Sequence, residues 1–98
     1  MDKFNLIQGN RPNDPDPESA EKDLCQLVSV IRLMVDKPNL VEVDFVKTER
    51  TTVMKMRVGK SDFGKVIGKQ GKTINSIRTL IDNISSKHGV KTVFDLEE

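Results

Sequence analysis

The run from Val66 to Ile77 constrains this 98-residue chain more than any other stretch. Gly68 and Gly71 bracket the polar pair Lys69 and Gln70, Lys72 follows, and Val66, Ile67, Ile74 and Ile77 stand on either side at helical spacing. Two glycines this close permit a tight turn, because neither carries a β-carbon that would bar positive φ or the close approach of another backbone. The apolar steps of three and four on both sides predict two short amphipathic helices that meet at the turn. The second helix then presents its N-terminal amides, the positive end of its dipole, beside a glycine-lined surface. Such a surface suits a sugar-phosphate backbone.

The remaining elements can be read outward from that helix pair. Residues 8–19 hold three prolines and no large apolar side chain, which predicts a disordered or extended leader over 1–18 and one folded domain over 19–98. Phe4, Leu6 and Ile7 form a small apolar patch before it, at an end expected to fray. A helix should start near Asp16 or Ser19, with Asp16 as cap, Pro17 at the first position, and Glu18 and Glu21 matching the dipole. Leu24, Leu27, Val28, Ile31, Met34 and Val35 give it one apolar stripe, ended by Asp36, Lys37, Pro38 and Asn39. Cys25 falls in this helix and reads as a small hydrophobe. Alternation follows: Val41, Val43 and Phe45, then Met54, Met56 and Val58, predict two antiparallel strands joined at Thr48 to Arg50. Ser61 is placed to cap the short helix carrying Phe63, Val66 and Ile67. Ile74, Ile77, Ile81 and Ile84, with Leu80 adjacent, make the stripe of the next helix, which Gly89 should close. Thr92, Phe94 and Leu96 then share one face of a last strand, able to run parallel to the second because two helices separate them. The fold class is α+β, in the order α-β-β-α-α-β, with a three-stranded mixed sheet and helices packed on one face.

A net charge of +1 hides a strong asymmetry. Residues 1–49 sum to −4, residues 50–59 to +3, residues 60–91 to +5, and the last seven to −3. Positive charge therefore gathers around the glycine turn, where Lys60, Lys65, Lys69, Lys72 and Arg78 lie, and a polyanion is the partner expected there. One cysteine permits no internal disulfide, and no apolar run is long enough to span a bilayer, so membrane insertion is not expected and a cytoplasmic location is.

Enzymatic readings fail on spacing. Gly71, Lys72 and Thr73 match the end of a phosphate-binding loop, but that loop needs a glycine at position 66, where valine stands, and a strand before it. Glycines at 64, 68 and 71 also miss the dinucleotide fingerprint. His88 beside Gly89 reads as a helix-end residue rather than a base. No carboxylate pair, metal-spaced cluster or activated nucleophile can be assembled, so no catalytic residue, metal or cofactor is expected.

The run around Gly68, Lys69, Gln70 and Gly71, with Val66 and Ile67 before it and Ile74 and Ile77 after, resembles the KH domain, in which such a turn clamps about four nucleotides. Residues from about Ser19 to the C-terminus fit the type II arrangement. The Asp62 to Lys72 segment and the following Ile77, Arg78, Thr79 and Leu80 are most similar to the small bacterial single-KH proteins of the KhpA family. The leader is a departure from them. This resemblance implies an RNA-binding set of Lys65, Ile67, Gly68, Lys69, Gln70, Gly71, Lys72, Ile74 and Arg78. It also implies an aliphatic groove walled by Val66, Ile67 and Ile74, with Thr92 near its far edge. By the same resemblance the protein would be a single-stranded RNA binder, acting as an RNA chaperone or post-transcriptional regulator. It would work as a homodimer or with a larger partner of the KhpB or Jag type, in cell-wall growth, cell shape or small-RNA regulation. Tyr and Trp are absent, which disfavours folds that stack several bases on aromatics. A protein adaptor built on the same fold and a single-stranded DNA binder are the alternatives.

Overall fold

A computed structural model describes residues 14–48 and 51–98. The apolar patch at Phe4, Leu6 and Ile7, and the leader as far as residue 13, lie outside them. Helix α1 spans Pro17–Met34. The Asp16 carboxylate accepts a hydrogen bond from the Ser19 amide at 3.2 Å, and Pro17 takes the first helical position, where its missing N–H is not needed. Ala20, Leu24, Leu27, Val28 and Ile31 are its buried stripe. Met34, expected on that stripe, is exposed, because the helix ends there and the chain turns extended at Val35, which is buried instead. A short 3-10 turn, Pro38–Leu40, leads into the sheet.

Strand β1, Glu42–Lys47, pairs antiparallel with β2, Thr51–Arg57, and β3, Lys91–Glu97, lies parallel to β2 on its other side. The sheet order is thus β1-β2-β3. A parallel neighbour requires a crossover, which is formed by helices α2, Lys60–Ile67, and α3, Lys72–Lys87. Register sets the core: Val43 and Phe45 stand beside Met56 and Met54, and these beside Leu96 and Phe94. On this helix-facing side Met54 and Met56 are fully buried against Leu24, Ile31, Val66 and Ile81. Each such side chain contributes about 1.5–3 kcal/mol relative to exposure.

Helix α2 has only two turns and could not persist alone. It starts at Lys60, two residues earlier than a Ser61 cap requires, so Gly59 is the N-cap and no side chain caps it. Asp62 is the anchor instead. Wholly buried, its carboxylate accepts the amides of Asp36 at 3.0 Å and Lys37 at 2.9 Å, which fastens α2 to the chain leaving α1. Those bonds, the Asp36 amide foremost and with Lys65 and Lys37 nearby, hold its pKa below the ordinary value against the opposing effect of desolvation.

Helix α3 buries Ile74, Ile77, Ile81 and Ser85 and ends at His88, with Gly89 in the left-handed region at φ 72°. There His88 is more than a helix-end residue. Its Nε2 lies 2.7 Å from Asp23 of α1, and Lys87 reaches the same carboxylate at 2.8 Å. The Asp16 amide also donates to the His88 carbonyl at 2.8 Å, so the start of α1 is fixed to the end of α3.

Candidate nucleic-acid interface

The two helices of the crossover meet at Gly68, whose φ of 79° and ψ of 168° belong to a region open essentially to glycine alone. A β-carbon there would lie 2.3 Å from Thr73 Oγ1 and 2.7 Å from its backbone nitrogen. Gly68 is therefore required twice, by its backbone angles and by the first turn of α3 pressed against it. Thr73, which the sequence offered only as the tail of a failed phosphate loop, is the residue that fills this space.

A single 3-10 turn, Lys69–Gly71, carries the chain from α2 to α3. The Gly71 amide closes it on the Gly68 carbonyl at 3.1 Å. Gln70 and Gly71 are both left-handed, at φ 57° and 77°. For Gly71 this is unstrained; for Gln70 it costs about 1–2 kcal/mol, the ordinary penalty of a β-carbon in that region. Space around Gly71 is open, so its role is backbone freedom and not avoidance of a clash.

At the N-terminus of α3 no side chain caps the helix and no acidic residue stands in the first turn. First-turn amides have no partner within a helix, and here Thr73 and Ile74 occupy that turn. They, with the dipole, make a site for an anion. Lys69, Gln70 and Lys72 are exposed around it. Their positive charge works against the dipole, and an anion seated between them would satisfy both.

The other expected residues are placed unequally. Arg78 is exposed and follows Gly71 by two helical turns, on the same face, which extends the positive surface along α3 by about 10 Å. Ile67 is half-buried against the core and Ile74 is 6% exposed, so both can border the turn only by their edges. Val66 is fully buried and offers no surface to a groove, whereas Thr92, bonded to Ser85 at 2.5 Å, borders a depression between α3 and β3 with Asp82, Ser86 and Lys91. Lys65 is exposed, but its ammonium pairs with Asp36 at 3.1 Å, directed to the end of α1. Lys60 lies at the far end of α2, about 10 Å along the helix from the turn.

Known proteins are similar to this chain in sequence. The sequence model of the KhpA/KhpB KH domain matches residues 26–96. The RNA-binding protein KhpA of Chlamydia caviae is 38% identical over 72 residues, 74% of this chain and 92% of its own length. That of Aquifex aeolicus is 36% identical over 80 residues, 82% of this chain and 99% of its own. That of Clostridium perfringens is 35% identical over 75 residues, 76% and 97% of the two chains. No solved structure matches the chain. With a KH-domain match across most of its length and relatives aligned nearly end to end, the chain belongs to the KhpA/KhpB KH-domain family.

Proposed function

We propose that the chain binds single-stranded RNA by its sugar-phosphate backbone, seated on the turn Gly68 to Lys72 and the first-turn amides of α3. The observation that carries this reading is the α3 N-terminus, uncapped, free of acidic residues and ringed by lysines. Support comes from the relatives, which are named RNA-binding proteins. Gln70, Lys69 and Lys72 meet the phosphates, the edges of Ile67 and Ile74 meet the first bases, and Arg78 continues the contact along α3. Lys65 contributes after leaving Asp36. One such module grips a few nucleotides and binds modestly. It therefore acts as a cytoplasmic RNA chaperone or post-transcriptional regulator in a pair, with a second copy or a larger KH-containing partner, since linked modules gain effective concentration without new contacts. The role is binding, not catalysis.

Fluorescence titration of single-stranded RNA and matched DNA at two salt concentrations tests it. Each phosphate neutralised should add about 0.7 to the logarithmic salt slope. Lys69→Asp combined with Gln70→Asp should lower RNA affinity at least ~10-fold, a loss of ~1.4 kcal/mol, with the circular dichroism spectrum unchanged. Unaltered RNA affinity in the folded double variant rules out the turn as the clamp. Equal binding of DNA means that the site grips phosphate without sensing the 2′-hydroxyl.

A further inference from the structure

Two apolar surfaces lie open among the described residues. On the face of the sheet turned away from the helices, register sets Val46, Val53 and Val93 side by side across β1, β2 and β3, with Val46 55% and Val93 46% exposed. Toward the far end of α1, Val30 and Leu33 are exposed on neighbouring turns. The sequence also holds an apolar group, Phe4, Leu6 and Ile7, in the stretch outside the described residues that precedes Asp14. Where that stretch joins the domain decides which surface it can reach. Asp14 and Pro15 stand against Gly89, between the end of α3 and the start of β3: a β-carbon on Gly89 would lie 3.4 Å from the Asp14 carbonyl oxygen and 3.3 Å from the Pro15 Cα. The Asp16 amide, on the His88 carbonyl at 2.8 Å, holds the chain to the same corner.

We propose that residues 4–7 fold back over the open face of their own sheet, with Ile7 toward Val93 and Phe4 toward Val46. Reach selects this surface. From Gly89 to Val93 is four residues of nearly extended chain, about 13 Å. Ile7 precedes Asp14 by seven residues, which span at most about 25 Å. The valine row is therefore within easy reach. Leu33 lies 16 residues beyond Pro17, about 24 Å along α1, and the same segment would have to be almost fully stretched to cover it. Width agrees: two strand spacings, about 10 Å, separate Val46 from Val93, and the three steps from Phe4 to Ile7 span about 10 Å of extended chain. Charge agrees as well. Asp44 stands two residues from Val46 on the same face, and Lys3, next to Phe4, comes beside it in this direction. The leader is thereby a built-in cover that withdraws the valine row from other proteins. It leaves the glycine turn open, because that turn joins the helices on the opposite side of the sheet.

Methyl-resolved NMR of the full chain without RNA tests this. In the wild type the Phe4 ring protons should show nuclear Overhauser contacts to the methyl groups of Val46 or Val53, with relative intensities unchanged on dilution. Phe4→Ser combined with Leu6→Ser should abolish those contacts and shift the methyl signals of Val46, Val53 and Val93, while those of Val30 and Leu33 stay in place. Absence of the contacts in the wild type, or shifts confined to Val30 and Leu33, overturns the proposal. A mixture of isotope-labelled and unlabelled chain separates contacts within one copy from contacts between copies. Contacts that appear only between copies assign the face to a second chain and overturn the cover.

Discussion

Helix α1 begins with an Asp16 side chain on the Ser19 amide and Glu18 in the first turn, whereas α3 begins with Gly71 at its cap, no side-chain acceptor and Lys72 at the first position. The first terminus is satisfied from within the chain and serves stability alone. The second has no side-chain cap and no acidic residue to balance its dipole, at the place where the proposed backbone phosphate would sit. On the proposed function, two helices of similar length in one small domain separate the needs of folding from those of binding.

Substitutions should divide along the same line. The largest effect is expected for Gly68→Ala, where a forbidden backbone region adds about 1–3 kcal/mol to the clash with Thr73. Chemical denaturation should show the loss, and RNA binding should fall with it. Gly71→Ala, with open space around it, should cost only the about 1–2 kcal/mol of a β-carbon in the left-handed region; equal losses for the two glycines would contradict the assignment of separate roles. Asp16→Ala should cost about 1 kcal/mol as an ordinary cap deletion and leave RNA affinity unchanged. Lys72→Glu should move in opposite directions on the two assays. The carboxylate suits the dipole and stabilises the fold by about 0.3–1 kcal/mol, while RNA affinity drops.

Acid should act through the carboxylates that hold elements together. Bonds from the Ser19 hydroxyl and amide lower Asp16, Lys87 and then His88 lower Asp23, and the Asp36 and Lys37 amides lower Asp62. Each folded carboxylate binds its proton less readily than the unfolded one, so the unfolded state takes up more protons in acid. Stability should therefore be full above the ordinary value near 3.8 and decline as pH falls through the lower folded values. Asp62→Asn should flatten that decline in an acid-unfolding series.

The fold was legible where a signal is local. Apolar periods of two and of three to four residues marked every strand and helix. Asp16, Pro17 and Gly89 marked ends, and two intervening helices implied the parallel β2 and β3. At the site, the turn itself was legible because Gly68 and Gly71 state a backbone requirement in their own identity. Gln70 gives no such sign, and its left-handed angle is imposed by the glycines beside it. Asp62 on the end of α1 and His88 on Asp23 join residues 25 and 65 or so positions apart, and nothing in one sequence links such pairs. Ser61 misled because the chain turns at Gly59, which starts α2 two residues early. Val66 was expected on a groove wall from its place in a motif, but burial depends on packing that the motif does not encode.

The open α3 terminus is the central claim, and amide-resolved NMR titration with a short single-stranded RNA tests it most directly. The amides from Lys69 to Ile74 should shift first and furthest, with smaller changes at Arg78 and none at Ser19, beneath the capped start of α1. Shifts centred on the side of the sheet away from the helices, with the glycine turn unmoved at saturating RNA, would contradict it.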